Sequence, residues 1–276
     1  MSLTEKNTVR VAVIDMNKGV ANQGMRGILS ILEAYRKSTG IALEYEVFDL
    51  RLKGEIPSPD YDIYISSGGP GSPYDGEKEQ WQQDFFALLD AIEAHNRLED
   101  VSKKHVFLIC HSFQMACRKY KVGQVIRRRS TAFGIFPVFL TEEGESVFKG
   151  LPNPFYTVDS RDWQVINPED LEFSNSEAQV LALEKERPHV DLERCVMAVQ
   201  FTEEIIGTQF HPEADAEGMK MYLLMEDKKA AIIANHGEQK YMDMLQSLDD
   251  PRKIQLTQQH ILPNFLKEAI LALQEA

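Results

Sequence analysis

Cys110 closes an apolar run, His105-Val106-Phe107-Leu108-Ile109, and far along the chain a second apolar run leads into Gly207-Thr208-Gln209-Phe210-His211-Pro212-Glu213. Thiol, imidazole and carboxylate together can perform covalent acyl chemistry. A thiol attacks only as its thiolate and is mostly protonated near pH 7, so it needs a base and gains from a helix N-terminus beside it. His211 can be that base and Glu213 its orienter. Each piece alone is bland: a cysteine ending an apolar strand is most often a small buried hydrophobe, and His-Pro-Glu is most often a turn. A third piece changes the weighing. Ser66-Ser67-Gly68-Gly69-Pro70-Gly71-Ser72-Pro73 follows the apolar run Tyr61 to Ile65, and three glycines with two prolines make a rigid loop whose backbone can approach a ligand and offer N–H groups to an oxyanion.

The elements around these residues follow from period and punctuation. Val9 to Asp15 is a first strand, Gln23 to Lys37 an amphipathic helix on Met25, Ile28, Leu29, Leu32 and Tyr35, and Leu43 to Phe48 a second strand. Ile63 to Ser66 is the third strand, Glu77 to Asn96 a long helix, and His111 onward a helix that opens directly after Cys110. Cys110 therefore falls on a strand-to-helix turn with backbone N–H groups facing the reaction centre. Strand and helix alternating in this way imply an α/β fold, a parallel sheet covered on both faces, with ligands at the carboxyl ends of the strands. Gly69 and Cys110 both fall at such ends. Beyond this helix come short strand-like runs, Ala132 to Leu140, Phe155 to Val158, Gln179 to Leu183, Val196 to Phe201 and Ile205 to Phe210, an antiparallel region that returns His211 to the site. The loop from Asn17 to Arg26 faces the site rim and can bind an acceptor, cover a pocket, dock a partner or simply turn. From Ala216 to Ala276 only helical stripes appear, with three readings open: core, a homodimer interface or a lid.

Gly-Gly-Pro-Gly-Ser-Pro, Ile-Cys-x-x-x-Gln and Gly-x-Gln-Phe-His-Pro-Glu, in that order over residues 9 to 216, resemble the class I (triad) glutamine amidotransferases, and within them the GMP-synthase glutaminase. The resemblance implies a flavodoxin-like three-layer α/β sandwich over residues 1–215, with residues 216–276 as a helical extension packed on it. It implies Cys110 as nucleophile, His211 as general acid and base, Glu213 as its partner, and the backbone N–H groups of Gly69 and His111 as the oxyanion hole. Gly71 and Gln114 match glutamine-holding positions, and Ser160, Arg161 and Asp162 occupy the place of a loop that contacts the amino-acid end of glutamine. The chain departs from the family where glycines usually flank the nucleophile, carrying Leu108 and Ser112 there. Arg161 and Asp162 likewise replace the usual histidine and glycine.

Composition narrows the partners. The 276 residues are 43% hydrophobic, enough for one substantial core, and carry a net charge of −13, which disfavours nucleic acid or an anionic membrane surface. The run Lys119, Lys121, Arg127, Arg128 and Arg129 is the one local counter-signal and reads as a solvated helix end and strand start, with an anion or partner site as the lesser reading. No apolar run reaches the roughly 20 residues that cross a bilayer. Three cysteines point to a reducing, cytoplasmic compartment without a disulfide framework, Cys117 and Cys195 being structural. No metal-ligand spacing occurs and no cofactor is implied. Neither a Ser-Gly-Gly-x-Asp-Ser loop nor a Gly-x-x-x-x-Gly-Lys loop is present, so the chain is not expected to be a complete ATP-dependent synthetase. Glutamine or a glutamine-like amide is the expected substrate, with a separate ammonia-accepting synthetase subunit as partner or with hydrolysis alone. The other readings are a γ-glutamyl hydrolase or acyltransferase on the same triad, and a binding module without turnover.

Overall fold

The strand that ends at Cys110 lies near the middle of a nine-stranded sheet, with order β2-β1-β3-β4-β9-β8-β7-β5-β6. The computed structural model describes residues 8–20, 22–166, 178–188, 191, 193–250 and 252–275. Ala21 of the Asn17 to Arg26 loop falls outside them. Strands β1 (Val9–Asp15), β2 (Leu43–Asp49), β3 (Ile63–Ser66), β4 (His105–Ile109) and β9 (Ile205–Thr208) pair in parallel. Strands β5 (Gln124–Leu140), β6 (Phe155–Ile166), β7 (Gln179–Glu184) and β8 (Val196–Gln200) extend the same sheet in antiparallel fashion.

Alternation along the strands sorts side chains to two faces. Val11, Val13, Ile63, Ile65, Phe107 and Ile109 meet α1 (Gln23–Thr39) and α9 (Ile254–Glu275) on one face. Ala12, Ile14, Tyr64, Val106 and Leu108 meet α3 (Gln80–Asn96) and α4 (His111–Tyr120) on the other. The result is a helix–sheet–helix sandwich, as expected. Helix α1 is started by the Asn22 side chain, which accepts from the Met25 N–H at 2.9 Å, and stopped by Gly40 at φ 70°. Among the short elements, α2 (Leu50–Lys53) follows β2 and α5 (Glu142–Val147) follows β5.

Two differences from the sequence reading bear on function. Strands β5 and β6 are longer than their apolar runs, and β6 continues through residues 159–165, where a loop was expected. Opposite it, β5 bulges between Arg127 and Ala132. In the C-terminal part, α6 (Ala216–Leu224), α7 (Glu226–His236) and α8 (Glu238–Leu248) share a cluster of their own with Val158 of β6, built on Met219, Leu223, Tyr241, Met244 and Leu248. Helix α9 instead places Ile261, Leu262, Phe265, Leu266 and Ile270 in the main core beside α1. Met221, Leu224, Met225 and Met242 are exposed apolar side chains on α6, at its end and on α8. No helix among the described residues is long and apolar enough to cross a membrane.

Candidate active site

The turn from β4 into α4 is strained at one residue. Cys110 has φ 49° and ψ −95°, a conformation side-chain-bearing residues rarely adopt, and it is held there from both sides. Its N–H donates to the Thr208 carbonyl at 2.7 Å, and its own carbonyl accepts from the Gln114 N–H at 2.9 Å. Ser112, where the family usually has glycine, has its hydroxyl 2.9 Å from the Ile109 N–H, from which it accepts, and 3.1 Å from the Ser66 carbonyl, so it ties the ends of β3 and β4 together. Leu108 is fully buried and pairs in register with Gly207 of β9. The Phe113 ring fills the place of a Gly207 side chain, since a Cβ there would stand 2.8 Å from it.

His211 and Glu213 meet at 2.8 Å, Nδ1 to Oε1, with the carboxylate only 1% exposed and the imidazole 19%. The His211 N–H donates to the Val158 carbonyl at 2.9 Å, which fixes the histidine backbone to β6. Gly68 lies between His211 and Cys110, for a Cβ there would stand 3.0 Å from His211 Cε1 and 3.4 Å from Cys110 Cβ. Burial opposes charge on the imidazole, but the Glu213 carboxylate and the Cys110 sulfur outweigh it and raise the His211 pKa well above its usual value. His111, immediately after Cys110, behaves oppositely: burial, then the nearby Arg51 and Arg118, lower its pKa to about 3. Its ring is neutral at pH 7, leaving its backbone N–H as the group it can offer.

The structure gathers only part of the remaining expected set. The Ser160 carbonyl lies 3.8 Å from Cys110 Sγ, with Ser160 itself exposed. Gln114 is buried and donates from Nε2 to Gln209 Oε1 at 3.1 Å and to the Trp163 carbonyl at 3.3 Å, while Gln209 Nε2 donates to Cys110 Sγ at 3.7 Å. Gly71 turns the loop at φ 91°, and a Cβ there would stand 2.6 Å from Asp75. Because β6 runs straight through, alternate residues face opposite sides. Arg161 is buried against Asp159 at 2.9 Å and Glu184 at 3.5 Å, and Asp162 is exposed and accepts from Thr131 Oγ1 at 2.5 Å. Neither side chain has a contact with Cys110, His211 or Glu213. The basic run divides likewise: Lys119 pairs with Asp90, Arg128 is bound to Gln164 at 2.9 Å and Glu184 at 3.4 Å, and Lys121, Arg127 and Arg129 are exposed.

Several supporting residues escape the sequence reading. Gly24 and Gly27 let α1 pass against Glu213, since a Cβ would stand 2.9 Å from its Oε1 at the first position and 2.2 Å from its carbonyl oxygen at the second. Two glycines one turn apart on an apolar helix face were the available signal. Arg51 donates from Nη1 to the carbonyls of Pro70 at 2.7 Å and Met16 at 3.1 Å. Asn17, at the start of the rim loop, is buried and hydrogen-bonded to Asp15 and Ser67, and Arg26 at its end pairs with Asp215. Among the described residues no group of three or more His, Cys, Asp or Glu could hold a metal ion.

Comparison with known proteins places this arrangement. The family described as "Glutamine amidotransferase class-I" matches over residues 28–229. No curated protein sequence matches. Among solved structures, a glutamine amidotransferase from Thermotoga maritima is 18% identical with a TM-score of 0.67, the match covering 95% of this chain and 98% of that one. A glutamine amido transferase from Methylobacillus flagellatus is 14% identical with a TM-score of 0.66, covering 96% and 95%. The glutaminase domain of Trypanosoma brucei CTPS, solved with bound acivicin, is 15% identical with a TM-score of 0.56, covering 89% and 97%. The family match runs through both the Cys110 turn and the His211–Glu213 pair, and the protein belongs to the class-I glutamine amidotransferases.

Proposed function

We propose that the protein hydrolyses the side-chain amide of glutamine through a thioester on Cys110. His211 takes the thiol proton, and the thiolate attacks the amide carbon. The resulting oxyanion accepts from the Gly69 and His111 N–H groups, and the C–N bond breaks as the His211 imidazolium protonates the departing ammonia. His211 then deprotonates water, which attacks the thioester, releasing glutamate and returning the proton to sulfur. In this reading Gly71, Gln114 and Ser160 hold the glutamine, while Arg161 is taken up by Asp159. The observation that carries this reading is the 2.8 Å His211–Glu213 contact, next to a cysteine held at φ 49° on a helix N-terminus. Two structures of similar fold are a CTPS glutaminase domain and a putative GMP synthase component from Thermoplasma acidophilum. That pattern favours delivery of ammonia to a separate synthetase partner.

The continuous β6 strand favours one alternative. With Arg161 and Asp162 engaged elsewhere, the contacts to an amino-acid end differ from those of the family, and a γ-glutamyl acyl donor other than glutamine becomes the second reading. Incubation with a diazo-ketone glutamine analogue, read by intact mass alongside ammonia release, separates these. A single adduct on the unaltered chain and none on Cys110→Ala is expected, with ammonia release lost in the variant. Turnover retained by Cys110→Ala would exclude the thioester mechanism. Rapid alkylation of Cys110 by iodoacetamide without a diazo-ketone adduct would exclude glutamine as donor.

A further inference from the structure

An oxyanion hole works only if its donors point at the developing charge before it develops. One donor, the His111 N–H, is fixed by α4, whose first-turn N–H groups have no partner within the helix. The other, the Gly69 N–H, belongs to a glycine-rich loop, where a peptide plane can turn over at little steric cost. A turned plane would present the Gly68 carbonyl to the oxyanion and abolish the site. What holds the plane is therefore as decisive as the donor itself.

The holding group is a buried hydroxyl. Ser67, 1% exposed, donates from Oγ to the Gly68 carbonyl at 2.9 Å, and accepts from the Met16 N–H at 2.9 Å and from Asn17 Nδ2 at 3.3 Å. One donor and two lone pairs are thereby all used, so the hydroxyl has no spare rotamer to offer. Asn17 is itself fixed, giving both its backbone N–H at 2.7 Å and its Nδ2 at 2.8 Å to Asp15 Oδ1. The Gly68 carbonyl and the Gly69 N–H lie on opposite edges of one trans peptide, so fixing the first aims the second. On the far side of Gly69, Arg51 Nη1 holds the Pro70 carbonyl at 2.7 Å. Gly69 packs so closely on the Met16 carbonyl that a Cβ would stand 2.3 Å from that oxygen. The Gly69 N–H has no protein hydrogen-bond partner among the described residues.

We infer that Ser67, supported by Asn17 and Asp15, is the positioning residue that holds the Gly68–Gly69 peptide plane and so sets the Gly69 N–H donor in advance of the reaction. The inference rests on the amidase reading above. Its test uses the full chain, with glutamine hydrolysis set beside alkylation of Cys110 by iodoacetamide. Displacement at the saturated carbon of iodoacetamide forms no oxyanion, so its rate reads the thiolate alone. For Ser67→Ala the expected result is a kcat lower by about 10- to 100-fold, KM within about twofold, and an unchanged alkylation rate, short of the 10²–10³-fold loss on deleting such a donor outright. Ser67→Thr, which keeps the hydroxyl, should recover most of the kcat.

Full kcat in Ser67→Ala would overturn the inference, and so would a parallel fall in kcat and alkylation rate, because that marks general damage to the nucleophile. Should Ser67→Ala give no cooperative melting transition, Asn17→Ala serves instead. A kcat-specific loss there supports the relay, and none overturns it. An unaltered chain that neither releases ammonia from glutamine nor takes the diazo-ketone adduct removes the amidase reading itself, whereas an active unaltered chain with an equally active Ser67→Ala removes only the role of Ser67.

Discussion

His211 holds its proton against burial because two negative neighbours outweigh the loss of solvent, and the larger of them is Glu213. Its pKa is raised, so the stabilisation from the charged pair is complete below the ordinary histidine value of about 6.5 and is lost as pH rises through the raised value. Glu213→Gln keeps the shape and removes the charge. In that variant the His211 ring resonances in NMR should titrate at distinctly lower pH than in the unaltered chain, the alkaline loss of stability should move with them, and kcat should fall by at least tenfold. An unmoved titration would show that the carboxylate does not set the imidazole's charge. That Cys110, His211 and Glu213 come together is legible in the sequence, because each stands at or just beyond the end of an apolar strand. The contacts of Arg51 with the Met16 and Pro70 carbonyls are not, since an arginine carries no mark of such a partner, and those of Gly24 and Gly27 with Glu213 are marked only by the spacing of the two glycines on α1.

At the scale of elements, the site depends on how closely α1 lies against the turn after β9. Gly27 is buried, and a Cβ there would stand 2.2 Å from the Glu213 carbonyl oxygen, a backbone atom with nowhere to yield. Gly27→Ala must therefore shift the helix or the Glu213 segment. The expected cost is about 1–3 kcal/mol, as for overpacking in general, together with a fall in kcat as Glu213 moves off His211. Gly40→Ala serves as the control: Gly40 is left-handed, with nothing within 4 Å of an added Cβ, so stability should drop by roughly 1 kcal/mol while kcat holds. Equal effects of the two on kcat would mean that α1 packing does not position the glutamate. The same scale explains where element boundaries were misread. The sequence reading stops β6 at Val158 because Asp159 and Arg161 follow. Both occupy inward positions, neutralising each other at 2.9 Å, and an alternation carried by paired charges leaves no apolar period to follow. In β5 the arginines of the bulge, Arg127 and Arg129 exposed and Arg128 paired with Glu184, also interrupt the apolar period.

The whole molecule depends on α9 to complete a face of the sheet that carries Cys110. The stripe Ile261, Phe265, Leu266, Ile270 is legible as a buried helix face, but the sequence is silent on which surface it covers, because every apolar stripe has the same composition. In the structure, Phe265 is edge-on to Phe107 with ring centroids 5.1 Å apart, and Phe107 stands on β4 three residues before Cys110. A cavity at Phe265 thus opens under the strand that leads to Cys110. Phe265→Ala should cost about 3–5 kcal/mol in urea unfolding, whereas Met242→Ala, at an exposed position of α8, should stay within about 0.5 kcal/mol. The two further differ in how the loss is distributed. Because α9 shares one core with β1, β3 and β4, the Phe265→Ala transition should remain a single step, with near-ultraviolet circular dichroism and iodoacetamide accessibility of Cys110 changing at the same urea concentration. If α9 were instead an appendage, its loss would expose a separate early transition that leaves Cys110 protected. A coincident transition would mean that the residues beyond the family match, past 229, are as necessary to the nucleophile turn as the residues that surround it.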